Sequence, residues 1–264
     1  MSALICGTVC ACLAIFQLML QLVLAKDYSW CDPALCENGV KHIACRNTGQ
    51  FARRCQPDSV QVDISRHKGD FLHAHNKRRN FLALGKVPGY YPAARMATMV
   101  WDDELQYLSM LNSRTCKLDH DDCHNTYRYA NAGQNLCAVW RPRDPYVNVT
   151  SLVEECLGLW FNEYSLIDSS FIDAFKVTSI FEDYGHFAEM SVDKSFALGC
   201  SIMRFTRPDY PSVYIYNFIC NYASLYALGA PVYETGHPAS RCTTGKSKFY
   251  PGLCSTREVY DPNW

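Results

Sequence analysis

Cysteine is the feature that most narrows what this chain can become. Fifteen occur in 264 residues, and three of them (Cys6, Cys10 and Cys12) fall in the opening stretch "MSALICGTVCACLAIFQLMLQLVLA". That stretch carries no charged side chain and ends in Val23-Leu24-Ala25, small at the last position and compact two before it, as a signal-peptidase site requires. The usual basic n-region is missing and the apolar run is long enough for an anchor, but cysteine parity favours removal. Cleavage of residues 1–25 as a signal peptide leaves twelve cysteines, an even number that suits several disulfides in an oxidising compartment. Metal ligation is the competing use. Cys31, Cys36, Cys45 and Cys55 have four to nine residues between neighbours, and no Cys-x-x-Cys pair occurs anywhere. A zinc ribbon needs two thiolates from one tight turn, so disulfides are the expected reading, and with them a secreted, extracellular protein. Asn148-Val149-Thr150 makes Asn148 a candidate glycosylation site, in keeping with secretion.

The formal net charge is −1, which argues against any general attraction to nucleic acid or anionic membrane. Once the leader is removed, no stable membrane insertion is expected. The length suits one large domain with a small appendage. Residues 26–65 read as a cysteine-rich extension with Gly, Pro and Asn turns, 66–235 as the main domain, and 236–264 as a loop-like tail in which Cys242 and Cys254 are expected to pair.

Within the main domain, "DFLHAHNKRRNFLAL" has helical spacing, with Asp70 as N-cap and Gly85 and Pro88 as the stop. A second helix is expected from Asp102, with Leu105, Leu108 and Leu111 on one face. A third is expected from Ser151, where Ser151-x-x-Glu154 forms a capping box. On that helix Cys156, Trp160 and Glu163 share one face, placing a carboxylate beside an apolar stripe. Residues 196–205 and 212–223 read as strands joined by a turn bearing Pro and Asp. Reflection through the turn sets Cys200 opposite Cys220, at the separation a disulfide needs. Helices first and strands later predict an α+β fold with helices packed on a sheet.

Five short segments follow in order: "HNKRR" (75–79), "VWDDEL" (100–105), "AGQNL" (132–136), "GHFAEM" (185–190) and "FICNYA" (218–223). Together they resemble the CAP superfamily of cysteine-rich secretory, antigen 5 and plant pathogenesis-related proteins, and most of all its insect antigen 5 branch of venom and salivary allergens. The resemblance covers essentially the whole chain after the leader. It implies a three-layer α-β-α sandwich. It also implies the pairings Cys31–Cys45, Cys36–Cys123 and Cys55–Cys116, besides Cys200–Cys220. Cys137 and Cys156 remain, and we take them as a pair.

The family has a cavity lined by two histidines and two acids. Carried over by residue, these fall on His120, His186, Glu163 and Gln134, the last where many members have glutamate. The Thr-Gln that usually follows "GHF" is here Ala188-Glu189. Three readings are open for this cluster. It could be a hydrogen-bonded lock between helices and sheet. It could hold a divalent ion such as zinc through His120, His186 and Glu163. Or it could hydrolyse a bond with a metal-activated water. Hydrolysis needs a general base, which the Gln134 amide cannot be and Glu163 cannot be while ligating a metal. No H-E-x-x-H helix is present.

The expected function is therefore that of a secreted, non-enzymatic antigen 5-like protein that requires no cofactor. The resemblance implies a sterol or fatty acid as ligand, or an extracellular host or self protein as partner, and an allergenic salivary or venom role. A divalent-metal-dependent hydrolase is the alternative. Residues 138–149, "AVWRPRDPYVNV", read as a loop whose Trp140 and Tyr146 could cover an apolar groove. Lys68-Gly69-Asp70 resembles an integrin-binding tripeptide but reads more simply as the turn before a helix. His75 and Arg79 are expected to bond locally within the fold.

Overall fold

A computed structural model describes residues 29–263 except 38, 145 and 179–183. The leader and its cleavage site lie outside the described residues. The centre is a five-stranded sheet built from β1 (Val60–Gln61), β2 (Val100–Trp101), β3 (Gly133–Pro142), β4 (Ala197–Arg207) and β5 (Tyr210–Tyr222). Its order is β1-β4-β5-β3, with β2 pairing in parallel to β4 and the other pairings antiparallel.

Side chains alternate across β4 and β5, so each face of the sheet carries its own apolar set. Leu198, Cys200, Ile202, Tyr216, Phe218, Cys220 and Tyr222 face the main core. Over them lie α1 (Lys68–Ala83), α3 (Val149–Asn162) and α5 (Gly185–Ser191). Gly199 meets α2 (Asp103–Ser113) on the opposite face. This is the three-layer α-β-α sandwich. A short helix, α4 (Ser169–Asp173), lies between α3 and α5 in the chain.

Six disulfides close the pairs Cys31–Cys45, Cys36–Cys123, Cys55–Cys116, Cys137–Cys156, Cys200–Cys220 and Cys242–Cys254. Cys200 and Cys220 are direct register partners on adjacent strands. The tight turn is at Pro208-Asp209, nearer β4 than the reflection places it, because the register shifts between Phe205 and Arg207. The extension is tied into the body: Val60 and Gln61 pair with Arg204 and Met203. The tail likewise returns along Ala93 and Met96.

Two helix starts differ from expectation. The first helix begins at Lys68 with His67 at the N-cap, and Asp70 sits inside the first turn. There its carboxylate accepts from the His67 ring and from the Thr150 hydroxyl. The Lys68-Gly69-Asp70 tripeptide is thus helical, and Lys68 pairs with Asp103. The third helix begins at Val149, capped by Asn148, whose side-chain oxygen accepts from Ser151 N–H. Asn is as good a cap as Ser and comes first in the chain, so it takes the role assigned to Ser151. The candidate glycosylation asparagine is therefore a helix cap. The second helix, expected from Asp102, begins one residue later, with Asp102 as its N-cap accepting from the backbone N–H of Glu104 and Leu105.

The stretch read as a loop at 138–149 is strand up to Pro142, paired along β5. Trp140 packs edge-on against Tyr210, with ring centroids 5.1 Å apart, and Tyr146 is 82 % exposed.

Candidate functional site

Each member of the cluster is delivered by a different element. The loop after α2, fastened by Cys55–Cys116 and Cys36–Cys123, carries His120. Gln134 is the second residue of β3. Glu163 follows the last turn of α3, and His186 opens α5. His120, Gln134 and His186 line one cavity of about 650 Å³, with Leu118, Ala132, Leu136 and Leu225 in its walls. None of its lining residues comes from 138–149, so Trp140 and Tyr146 do not cover it.

Hydrogen bonding fixes which ring nitrogen of each histidine is used. The Gln134 Nε2 amide donates to Asp121 Oδ2 at 2.8 Å and to Asn221 Oδ1 at 2.9 Å. Both of its N–H groups are thereby spent, which leaves Oε1 as acceptor. Oε1 lies 2.8 Å from His120 Nδ1, so Nδ1 carries the proton and Nε2 the lone pair in the neutral ring. His186 follows the same pattern. Its Nδ1 donates to Glu163 Oε1 at 2.7 Å, while Glu163 Oε2 accepts from the Phe187 backbone N–H at 2.9 Å. The ring stacks on Trp160, tilted by 16° with centroids 5.8 Å apart, and Trp160 is itself held by Nε1–H to Leu136 O. Among the described residues, neither histidine has a hydrogen-bond partner at Nε2.

Asp121 and His124 were not among the expected site residues, yet they hold the arrangement together. His124 Nδ1 donates to Asp121 Oδ1 at 2.7 Å and Nε2 to Gly133 O at 3.2 Å. Burial alone would lower the His124 pKa, but the Asp121 charge and hydrogen bonds outweigh it and raise it. Burial alone would raise Asp121. The His124 charge and the donors His124, Gln134 and Asn112 outweigh that and hold it below the usual carboxylate range. The only trace in the sequence was the i, i+3 spacing in "HDDCH". Burial, then the nearby His186 and His124, keep the His120 pKa below its ordinary value, against the Gln134 hydrogen bond.

His75 and Arg79 lie outside this cavity and are spent within the fold. His75 Nδ1–H donates to Phe71 O and Nε2 accepts from Tyr222 OH, and burial drives its pKa down to about 3. Arg79 donates to the carbonyls of Ala97, Met190 and Val192, joining α1 to the end of α5.

A divalent ion would find two protein ligands here, the Nε2 atoms of His120 and His186. Glu163, expected as a third, has both oxygens engaged and orients His186 from behind instead. Among the described residues, no group of three or more His, Cys, Asp or Glu is gathered to hold a metal. The donor set fits a two-imidazole site and lacks the third ligand of a hydrolytic centre.

Residues 72–222 match the family model of the cysteine-rich secretory protein family, CAP. This chain belongs to the CAP family. Among CAP proteins it is 36% identical over 232 residues to venom allergen-1 of Aedes aegypti, covering 87% of this chain and 88% of that one. It is 39% identical over 186 residues to the antigen 5 like allergen Cul n 1 of Culicoides nubeculosus, covering 67% and 83%. A crystal structure of NaASP2 with Zn2+ shares the CAP fold at a TM-score of 0.58 and 23% identity, over 76% of this chain and 100% of that one.

Proposed function

We propose that this chain is an extracellular, non-enzymatic binding protein of the antigen 5 type, whose cavity takes a small and largely apolar molecule by one polar end. The observation that carries this reading is the state of the two imidazoles. Both Nδ1 atoms are occupied from behind, so each ring offers one acceptor, Nε2. A hydroxyl or carboxylic acid O–H can donate to such an acceptor while Leu118, Ala132, Leu136 and Leu225 take up the apolar body. A sterol hydroxyl has this chemistry, and so does a fatty acid that enters in its protonated form.

Hydrolysis is disfavoured by the same geometry. A general base must reach a water beside the metal, but Glu163 is bound to His186 and Phe187, and Asp121 lies behind Gln134. The extracellular reading is supported by the six disulfides, by relatives described as venom allergens, and by the lack, among the described residues, of a helix long and apolar enough to cross a membrane.

The test titrates purified protein with a fluorescent sterol and a fluorescent fatty acid, with and without chelator. Uptake should survive chelation and weaken about tenfold in His186→Ala, the loss expected for one well-placed hydrogen bond to a buried partner. Peptide or ester cleavage that appears on adding zinc, and disappears with chelator or in His186→Ala, would establish the metal-dependent hydrolase instead.

A further inference from the structure

The chain's near-neutral sum hides a run of positive charge in the middle of the disulfide-stapled extension. From residue 38 to residue 57 there is no Asp or Glu, while Lys41, Arg46, Arg53 and Arg54 are all present. Cys55–Cys116 then brings Arg54 and Lys117, the residues flanking the two half-cystines, to one place, with the two Cα atoms of the bridge 5.4 Å apart. Arg54, Lys117 and Arg207 line a cleft of about 500 Å³. A second cleft of about 450 Å³ is lined by Lys41, Arg46 and again Lys117, so the two adjoin at that lysine.

None of Lys41, Arg46, Arg54 and Lys117 forms an ion pair among the described residues, in contrast to Lys68, Arg78, Arg95 and Arg143, which do. Arg207 is held by Asp209. Asp119 and Asp122 are exposed acids on the walls, and Asp121 is committed to His124. Subtracting the four free cations from the net charge of −1 leaves −5 on the rest of the chain. Four cations set along two adjoining clefts, two of them fixed side by side by the Cys55–Cys116 bridge, repel one another, and a bound polyanion would relieve that repulsion.

We propose that these adjoining clefts form a track for a linear sulfated polysaccharide, with Arg54 and Lys117 as its central clamp. The arginine fork suits a tetrahedral oxyanion, and the lysine supplies a point charge beside it. A chain of sulfated sugars can thread a concave track. A bilayer surface, being flat, cannot follow cations into two clefts. The track shares Leu118, Asp119 and His120 with the wall of the histidine cavity, but its clamp residues Arg54 and Lys117 do not line that cavity.

The test is heparin-affinity chromatography of the secreted protein, with titration by a size-defined heparin oligosaccharide at about 0.15 M salt. The unaltered protein should be retained above that salt. Arg54→Glu with Lys117→Glu should weaken binding about tenfold, while Lys246→Glu with Lys248→Glu, on the C-terminal tail, should leave it unchanged. Arg54→Gln with Lys117→Gln gives a milder version if charge reversal disturbs folding, monitored by near-ultraviolet circular dichroism. The proposal fails if the protein is not retained, if the tail pair weakens binding equally, or if the Arg54 and Lys117 variants bind as tightly as the original. Binding to phosphatidylserine vesicles through the same residues, with none to heparin, also overturns it.

Discussion

Glu189 follows His186 by three residues on α5, yet the two side chains serve different places. His186 turns to Glu163 and the cavity. Glu189 turns inward and is 1 % exposed, with the Tyr226 backbone N–H approaching its carboxylate. Burial raises its pKa well above the usual value of 4.5, against the backbone N–H of Tyr226 and the Arg79 charge. It packs so closely on β3 that a Cβ at Gly133 would lie 2.0 Å from its Oε1. The folded chain thus keeps a proton here that the unfolded chain loses above about pH 4.5, so stability must fall as pH rises through that range toward the folded pKa. Glu189→Gln, which installs the amide usual in the family, removes this liability. Thermal unfolding should show the variant melting a few degrees higher than the original at pH 8. The gap should close toward pH 4, where the original is protonated in both states. A constant gap across that range would assign the effect to packing rather than protonation.

At the scale of elements, α2 and β4 touch backbone to backbone. A Cβ at Gly199 would fall 2.1 Å from Gln106 N and 2.5 Å from Asp102 O, and neither atom belongs to a side chain that could swing away. Gly199→Ala should therefore cost about 3 kcal/mol in urea unfolding, the upper range for overpacking. Gly158→Ala, in α3 with only Arg78 Nη2 at 3.8 Å, should add about 0.5–1 kcal/mol through helix propensity. If both changes cost the same, the close approach of helix and strand is not what Gly199 serves. These elements differed in how legible they were. The β4–β5 hairpin could be read because its cysteines mark the register and its two apolar runs flank a turn bearing Pro and Asp. The start of α2 could be read to within one residue because Leu105, Leu108 and Leu111 recur on one face just after Asp102. The strand β3 could not: it ends at Arg141-Pro142, and Pro and charge read as loop when no partner strand is known. It is a strand because β5 lies beside it in antiparallel register along all ten residues, Gly133 to Pro142.

The cluster belongs to the whole molecule, since His120, Gln134 and His186 line the cavity, Glu163 holds His186 from behind, and the four meet only when sheet, helices and bridges are assembled. Family resemblance marked those four in the sequence. It did not mark Asp121, His124 or Asn221, because their role is to orient Gln134, and that role appears only when β3 and β5 lie side by side. It also set Glu163 on a metal, whereas the fold spends both its oxygens on α5. What the assembled chain presents is thus a pair of imidazoles locked from behind. Long-range proton–nitrogen NMR of the histidine rings at neutral pH measures that lock directly. For His120, Nδ1 should appear as the protonated nitrogen and Nε2 as the bare one, and Gln134→Ala should let the proton redistribute. A proton found on His120 Nε2 in the unaltered protein would contradict the account.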